Sequence, residues 1–506
     1  MKQKIYTLES LKTELQSHRT EGKTIVLCHG VFDLMHIGHL RYFNQAAQMG
    51  DILVVTLTQD QYVNKGPGRP AFTESLRAEV LSNISCIDYV AINEWPTAIE
   101  TIQCLRPNVY VKGPDYKDAS KDLTGNIKKE ADAVLSVGGE IRFTEDITFS
   151  SSRLLVDFST TYSEAQRSYI HQLRNKYNMG DILSWFDEMK TKKVLLLGEI
   201  IVDEYVQCKA LGKSGKEPVL VVKQLEEQKF MGGILAIANH LSQFCSEISI
   251  LSYLGENREY EDLIRSNLSP NVELNAIAKK GAPTIHKKRY IDEYSKARIL
   301  GVYDIEGGLI DHEEEELLLQ RLRSSIKDYD LVLIADYGHG LISSNIVQYV
   351  CEHAPYLAIN TQINASNRGF HTISKYPRAD FVCIHEGELR HDHRNITKPV
   401  EELMINLYEK MQCQEIIITQ GKNGLIGYSQ EEGVMHCPAF AHKVVDRVGA
   451  GDTVLSMTSL SLSTGMPRDI SLILGNLAGA QSVSMVCNEG ALNRNLMLKS
   501  LKSIIG

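Results

Sequence analysis

Short apolar runs rich in β-branched residues alternate with helical patterns along most of the chain, and this alternation limits the fold more than any other feature. Strands that alternate with helices form a parallel sheet with helices on both faces. The sequence therefore predicts a doubly wound α/β domain that ends near residue 155. Its predicted strands are Thr24–Cys28, Ile52–Leu57, Tyr89–Ile92 and Val109–Lys112, and its predicted helices are Gly38–Met49, Ser75–Ile84 and Thr97–Leu105.

A second alternating region follows residues 156–190, a charged segment with two helical patterns that we interpret as a linker. Pro218–Lys223 is expected to form a half-exposed strand that pairs with Ile285–Ile291. We therefore predict an α/β protein with two doubly wound parallel-sheet domains, residues 1–155 and 191–506. The other predicted elements of the second domain are strands Lys193–Leu197, Asp330–Ala335, Phe381–Ile384 and Glu415–Thr419, and helices Asp452–Leu462 and Ile470–Met485.

Composition and charge narrow the functional classes. The net charge of −9 argues against a nucleic-acid partner, because phosphate neutralisation needs a basic face. The ten cysteines include no C-x-x-C pair, which argues against a structural zinc site. No run approaches the length of a membrane span, and the first residues do not resemble a secretory signal. We expect a reduced, cytoplasmic protein without a membrane partner.

A histidine-containing motif follows the first predicted strand and opens a helix: His29-Gly30-Val31-Phe32-Asp33-Leu34-Met35-His36-Ile37-Gly38-His39. The start of a helix presents unpaired N–H groups, which attract phosphate. His36 and His39, three residues apart, can both face a bound triphosphate and stabilise charge on its oxygens. Taken alone, the pair favours the simpler interpretation of two histidines that cap or pack at the start of a helix.

The motifs around this pair resemble a nucleotidyltransferase family, typified by glycerol-phosphate cytidylyltransferases and heptose-1-phosphate adenylyltransferases, over about Thr24–Arg153. The family's segments occur in order: Lys65-Gly66-x-x-Arg69-Pro70, Arg77, Val111-Lys112-Gly113-Pro114-Asp115-Tyr116-Lys117 and Ser150-Ser151-Ser152-Arg153. The resemblance implies that His36, His39 and Lys65 are catalytic. It implies nucleotide contacts from Gly30, Phe32, Asp33, Gly38, Arg69, Arg77, Lys112, Ser150, Ser151 and Ser152, substrate contacts from Asp115 and Tyr116, and Mg²⁺ with ATP or CTP.

A second phosphate motif, Asp446-Arg447-Val448-Gly449-Ala450-Gly451-Asp452-Thr453, precedes a helix near the end of the chain. Small residues before a helix form an anion cradle of backbone N–H groups. An aspartate there can accept a proton from a substrate hydroxyl, as kinase chemistry requires. A glycine-rich turn with Asp452 as its helix cap is the alternative.

The second domain resembles the ribokinase-like (PfkB) sugar kinases, especially heptose-7-phosphate kinases, over about Lys193–Ile505. The resemblance implies a small β lid, with Asp452 as catalytic base. It implies sugar contacts from Asp203, Gly232 and Gly233. It implies nucleotide or anion contacts from Glu388, Thr419, Gly421, Gly424, Gly449, Ala450 and Gly451. No resident metal ligands are expected.

Several positions depart from the heptose kinase pattern: Lys216, Ala236, His339, Asn360-Thr361-Gln362 and His385. Lost hydrogen-bonding partners change which sugar a polar site accepts. The two resemblances together imply a bifunctional enzyme that makes a sugar 1-phosphate and then a nucleotide sugar, similar to the heptose enzymes with the domain order reversed. The alternatives are a cytidylyltransferase for a polyol phosphate, and an active transferase joined to a degenerate kinase domain used for sugar binding or dimerisation. A homodimer is expected.

Overall fold

The computed structural model describes residues 4–63, 69–114, 126–145, 162–441, 444–485 and 490–505. Contacts divide the chain into two compact units. Unit 1 comprises Met1–Ile170 and Asn495–Gly506, and unit 2 comprises His171–Arg494. The chain passes from unit 1 to unit 2 within the predicted linker, residues 156–190, and returns to unit 1 after Arg494, within the predicted second domain. The domain boundaries 1–155 and 191–506 remain predictions.

Unit 1 contains a six-stranded, fully parallel sheet in the order β1-β4-β3-β2-β5-β6. Alternate side chains of β2 enter opposite apolar clusters, Ile25 and Leu27 in one and Val26 and Cys28 in the other. A strand buried on both faces needs an uninterrupted apolar run, as the sequence shows. The strands are β1 (Ile5–Tyr6), β2 (Ile25–Gly30), β3 (Ile52–Thr58), β4 (Tyr89–Asn93), β5 (Val109–Lys112) and β6 (Glu140–Phe143), and the helices are α1 (Leu8–Thr20), α2 (Ile37–Ala47), α3 (Glu74–Ser82), α4 (Ile99–Leu105) and α5 (Asn126–Ser136).

Helix α6 (Glu164–Lys176) crosses the division between the units, and α7 (Met179–Thr191) follows it. Both helices were predicted. Helix α7 buries Ile182, Phe186 and Met189, and the ring of Phe186 lies 6.1 Å from that of Phe244. This helix is therefore part of the core of unit 2 rather than a solvated linker.

The main sheet of unit 2 has nine strands in the order β11-β10-β7-β14-β15-β16-β17-β18-β19. All neighbours are parallel except β17–β18 and β18–β19. Its strands are β7 (Lys193–Gly198), β10 (Glu247–Gly255), β11 (Val272–Lys279), β14 (Leu331–Asp336), β15 (Leu357–Thr361), β16 (Phe381–His385), β17 (Glu415–Thr419), β18 (Leu425–Ser429) and β19 (Gly433–Cys437). The helices of unit 2 after α7 are α8 (Ile234–Leu241), α9 (Glu261–Asn267), α10 (His312–Ser325), α11 (Ser344–His353), α12 (Glu386–Asp392), α13 (Val400–Lys410), α14 (Ala450–Ser463) and α15 (Arg468–Val483); α16 (Arg494–Ile505) ends the chain.

A separate four-stranded sheet, the lid, has the order β13-β12-β8-β9. Its strands are β8 (Ile200–Lys213), β9 (Leu220–Gly233), β12 (His286–Asp292) and β13 (Arg298–Asp304). The predicted pairing between Pro218–Lys223 and Ile285–Ile291 is wrong, because β8 lies between β9 and β12 and pairs with both. Strand β8 was not predicted from the sequence.

Candidate active sites

The first site lies where β2 ends and α2 begins. His36 is the N-terminal cap of α2, and its Nδ1 accepts a hydrogen bond from the Gly38 N–H at 3.2 Å. The ring centroids of His36 and His39 are 4.0 Å apart. The structure thus brings both predicted histidines to the start of a helix, where N–H groups and the helix dipole favour phosphate.

Phe32 shapes this turn. Its φ is 46°, and its ring covers Gly30 so closely that a Cβ there would lie 2.9 Å from Cζ of Phe32. The same ring meets His39 edge to face, with centroids 5.7 Å apart. Gly30 therefore has to be glycine, and Phe32 helps to orient His39.

Asp33 and Arg69 form a buried ion pair. The buried Asp33 carboxylate accepts Nε–H of Arg69 at 2.5 Å and the N–H groups of Ala71 and Phe72 at 2.8 and 3.1 Å. This carboxylate anchors the segment that follows the predicted phosphate lysine, Lys65. Direct contacts of Asp33 and Arg69 with a nucleotide remain predictions.

Arg77 is completely buried. Its guanidinium donates to the carbonyls of Val31, Thr58 and Phe72 at 2.5, 2.8 and 3.1 Å, and to Asp60 at 2.6 Å. It thereby joins the loops after β2 and β3 to the segment before α3. A nucleotide contact for Arg77 remains a prediction, while its role in joining the loops is evident.

Lys112 ends β5 beside the first site. Its ammonium is 2.8 Å from Glu130 and lies over the ring of Tyr110, whose hydroxyl donates to the same carboxylate. A phosphate at Lys112 would thus share the ammonium with Glu130. The predicted residues Lys65, Asp115, Tyr116, Ser150, Ser151 and Ser152 lie outside the described residues.

His29 was quoted in the motif without a role of its own. Its ring nitrogens lie 3.0 Å from Thr56 Oγ1 and 3.3 Å from Thr58 Oγ1. Burial, reinforced by the positive charge of Lys112, lowers the pKa of His29 to about 3. This imidazole is therefore neutral at physiological pH and holds β2 and β3 together at the edge of the site.

The second site centres on Asp452 in the first turn of α14. Gly449 caps this helix with a φ of 80°, and a Cβ at Gly451 would meet no atom within 4 Å. The cradle of Gly449, Ala450 and Gly451 is therefore open. Burial raises the pKa of Asp452 to about 7, although Tyr337 donates a hydrogen bond to its Oδ1 at 3.0 Å. A carboxyl with this pKa is suited to remove a proton near neutral pH.

Asp203 lies on the face of the lid near Asp452, and its charge contributes to the raised pKa of that base. Asp203 forms an ion pair with Arg289, which lies on the neighbouring strand β12. A Cβ at Gly232 would lie 2.2 Å from Asp203 Oδ2. At Gly233, where φ is 57°, a Cβ would lie 2.6 Å from the Glu199 carbonyl oxygen. Both predicted glycines are therefore required by close contacts.

Lys287 brings a cation to this site that sequence reasoning missed. Its Nζ lies 3.1 Å from Nε2 of His339, and both side chains are buried. Burial and the neighbouring ammonium lower the pKa of His339 to about 3, so a neutral imidazole faces the lysine. The run of basic residues Lys287-Lys288-Arg289 in β12 was the available signal, since Lys287 and Arg289, two residues apart, share one face of the strand.

The predicted nucleotide side lies at the ends of β16 and β17. Glu388 accepts the N–H groups of His385 and Ile363 at 2.7 and 3.2 Å, and burial raises its pKa to about 7. Thr419 ends β17, and Gly421 lies two residues further along the chain. These residues lie at the carboxyl edge of the parallel sheet, where ligands of α/β proteins bind.

Two glycines shape the loop after β17. Gly421 and Gly424 have φ values of 56° and 92°, and a Cβ at Gly424 would lie 2.1 Å from the Cys437 carbonyl. Among the departures from the kinase pattern, Ala236 is buried in α8 and His385 is exposed. Nucleotide and sugar contacts at all these positions remain predictions.

Within the described ranges, no group of three His, Cys, Asp or Glu residues is placed to hold a metal ion. In the same part of the chain, no helix combines the length and apolar character needed to cross a membrane.

The pfkB carbohydrate kinase family model matches residues 191–487, more than half of the chain. The chain therefore belongs to the pfkB family of carbohydrate kinases. Residues 27–165 match the cytidylyltransferase-like model, so a second, N-terminal family region precedes the kinase region. Both predicted resemblances are confirmed.

Individual relatives match parts of the chain. The bifunctional protein HldE of Syntrophotalea carbinolica is 38% identical over 156 residues, which cover 30% of this chain and 30% of that protein. The bifunctional protein HldE of Nitratiruptor sp. is 27% identical over 297 residues, which cover 58% and 62%. The chain thus spans less than two thirds of the length of these relatives.

The fold is also found among solved structures. Phosphofructokinase-2 from Escherichia coli in complex with potassium aligns with 62% of this chain and 99% of its own, with a TM-score of 0.51 and 12% identity. The kinase region therefore has a ribokinase-like fold, and the predicted fold class is confirmed.

Proposed function

We propose that this chain is a bifunctional sugar-activating enzyme. The kinase unit transfers the γ-phosphoryl group of ATP to the anomeric hydroxyl of a sugar or sugar phosphate and releases ADP. The cytidylyltransferase-like unit joins the resulting sugar 1-phosphate to the nucleotidyl group of ATP or CTP and releases pyrophosphate. The leading hypothesis for the product is an ADP-heptose-like nucleotide sugar for surface polysaccharide.

The observation that carries the proposal is the pair of helix starts with ionisable side chains. His36 and His39 meet at the start of α2, and Asp452 lies in the first turn of α14. Each helix start offers backbone N–H groups to a phosphate. The histidines can donate hydrogen bonds to phosphate oxygens in the transferase reaction, and the aspartate can accept a proton in the kinase reaction.

In the kinase reaction, the Asp452 carboxylate accepts the proton of the sugar hydroxyl as that oxygen attacks the γ-phosphorus. The bond from phosphorus to the bridging oxygen breaks, and ADP leaves. The N–H groups of the cradle and the ammonium of Lys287 stabilise the negative charge on the phosphoryl oxygens. The nucleotide enters as its magnesium complex, with phosphate oxygens among the metal ligands.

In the transferase reaction, an oxygen of the sugar 1-phosphate attacks the α-phosphorus of the triphosphate, and pyrophosphate leaves. The attacking phosphate is already ionised, so this step needs no general base. His36 and His39 donate hydrogen bonds to the α-phosphate oxygens as charge develops there. Lys65 and Lys112 are proposed phosphate contacts, and Ser150, Ser151 and Ser152 proposed nucleotide contacts. Asp115 and Tyr116 are proposed to contact the sugar phosphate.

Pyrophosphate release by the full chain tests the transferase. ATP, CTP, GTP and UTP are each combined with a panel of sugar 1-phosphates and polyol phosphates. We expect one pair to react and His36→Ala to abolish the reaction. Preference for CTP with a polyol phosphate would instead favour a polyol cytidylyltransferase.

Sugar-dependent ADP formation tests the kinase. We expect Asp452→Asn to abolish it while leaving pyrophosphate release intact, and His36→Ala to do the reverse. Each variant is then the folding control for the other. A wild-type chain that releases pyrophosphate but never forms ADP with any sugar would favour a degenerate kinase unit used for sugar binding or dimerisation.

We also propose that the chain forms a homodimer through its lid. Leu220 on β9 and Leu300 and Val302 on β13 are 59%, 57% and 51% exposed on the two edge strands of that sheet. Exposed apolar edge strands favour pairing with another chain. Light scattering should give twice the mass of one chain, and Leu300→Ser with Val302→Ser should reduce it.

Because both reactions use cellular nucleotides, we propose a cytoplasmic location.

A further inference from the structure

Glu199 stands between β7 and β8 and is fully buried. Its Oε2 accepts the N–H of Tyr337 at 3.0 Å, and its Oε1 accepts those of His339 and Leu341 at 2.9 and 3.4 Å. All three donors belong to the loop after β14, residues 337–341. The loop is therefore wrapped around a carboxylate that comes from the connection between β7 and β8, and successive backbone N–H groups form an anion-binding concavity.

This loop carries two side chains into the kinase site. The Tyr337 hydroxyl donates to Asp452 Oδ1 at 3.0 Å, and His339 Nε2 lies 3.1 Å from Nζ of Lys287. Because an ammonium can only donate, Nε2 of His339 is the acceptor. Both the base and the nearby cation thus depend on the position of one loop.

We propose that Glu199 is a positioning residue for the kinase reaction, because it fixes the 337–341 loop so that the Tyr337 hydroxyl orients the Asp452 carboxylate. The inference rests on the proposed kinase function. Glu199 itself has no access to a substrate, because it is fully buried. Glu199 influences Asp452 through two hydrogen bonds in series, from the Tyr337 N–H to Glu199 and from the Tyr337 hydroxyl to Asp452.

Glu199→Gln is a selective test. An amide oxygen can replace Oε1 and keep the hydrogen bonds from His339 and Leu341. The amide NH₂ then faces the Tyr337 N–H, and two donors cannot bond to each other. The substitution is expected to displace Tyr337 in particular, so its effect should resemble that of Tyr337→Phe.

The readout is the pH dependence of sugar phosphorylation. The charged and titratable groups that act on Asp452 are Tyr337, Asp203 and Lys287, and Glu388 and Cys383 also interact with it. Burial and the charge of Asp336 raise the pKa of Glu199 itself to about 7, so Tyr337→Phe, which keeps Glu199, shows the shift that belongs to Asp452. The hydrogen bond from Tyr337 favours the ionised carboxyl. Losing it should move the acid limb of kcat/KM upward by about one pH unit and lower kcat about tenfold, since hydrogen bonds to charged groups are worth this much.

Glu199→Gln, Tyr337→Phe and the double variant are compared in the full chain, with pyrophosphate release as a control for folding of unit 1 and thermal melting for unit 2. We expect both single variants to shift the acid limb, and the double variant to match Tyr337→Phe alone. Additive losses, or a Glu199→Gln profile with the wild-type acid limb, would overturn the proposal. If Glu199→Gln does not fold, Glu199→Asp serves in its place, and an unshifted limb in Tyr337→Phe also overturns it.

A second measurement separates this proposal from the kinase function. Carboxyl carbon NMR of ¹³C-aspartate-labelled chain follows the titration of Asp452, assigned with Asp452→Asn, without any substrate. If no sugar is phosphorylated by the wild type, the kinase function fails. If in addition the Asp452 titration is the same in wild type and Glu199→Gln, the positioning role fails as well.

Discussion

Gly232→Ala should disable the kinase reaction while the transferase reaction continues. The new Cβ would lie 2.2 Å from Asp203 Oδ2 and 3.2 Å from the Ile201 carbonyl oxygen. The backbone at Gly232 is not in the left-handed region, so the contact alone decides the outcome. The Asp203 carboxylate cannot move freely, because it is buried and paired with Arg289.

The size of the effect follows from these distances. Ordinary van der Waals contact begins near 3.4 Å, so Oδ2 has to move by roughly 1 Å. Overpacking of this kind costs about 1–3 kcal/mol of unit 2 stability. If Asp203 contacts the sugar as proposed, a displacement of about 1 Å at its carboxylate lowers kcat/KM by about 100-fold. We therefore expect a folded but nearly inactive kinase.

Gly307→Ala is the matched control, because a Cβ at Gly307 would meet no atom within 4 Å. ADP formation and pyrophosphate release are measured on the same samples of wild type and both variants, with thermal melting alongside. We expect only Gly232→Ala to lose ADP formation. Equal kinase activity in the two variants would refute the argument that the contact between Gly232 and Asp203 sets the sugar site.

Three further outcomes follow from buried polar groups. Kinase kcat/KM should rise with pH through about 7, because the Asp452 carboxyl must lose its proton to act as base; a flat profile between pH 6 and 8 would contradict this. Arg77→Met should destabilise unit 1 by about 1–3 kcal/mol in denaturant titrations, since it takes the donor from the buried Thr58 carbonyl and breaks hydrogen bonds to three more exposed acceptors. Arg142→Met, at a half-exposed ion pair, should change it by less than about 1 kcal/mol. Nδ1 of His240 accepts a backbone N–H, so its Nε2–H donates to Thr453 in the first turn of α14. His240→Gln keeps that donation and should therefore retain more kinase activity than His240→Asn. The reverse order of activities in steady-state assays would exclude this tautomer of His240.

Most strands of the two main sheets could be predicted from the sequence, because the pattern that indicates a buried strand lies within the strand itself. A strand buried on both faces needs a continuous apolar run, and β2, β3, β5 and β17 were therefore recognised close to their observed bounds. Strand β8 was missed because Asp203 and Glu204 interrupt its apolar pattern. Their partners, Arg289 and Lys288, come from β12, far along the chain.

At the candidate sites, too, local sequence patterns were predictable and contacts between distant segments were not. Histidines and glycines next to a strand end identified the start of α2, and Gly449 to Asp452 identified the start of α14, because helix starts bind phosphate whatever the surrounding fold. The role of Arg77 in joining three segments could not be read locally, since its acceptors are backbone carbonyls exposed to it only by folding.

The sequence by itself determined two α/β regions, each with a helix start that is predicted to bind phosphate and with the side chains proposed to act there. These features depend on residue types and spacings within a few turns of chain. The tertiary structure alone decided that Glu199 lies beneath the loop of Tyr337, that Lys287 faces His339, and that β8 separates β9 from β12. Such contacts depend on which distant segments become neighbours, and a buried charge is stable only when that neighbour supplies its partner.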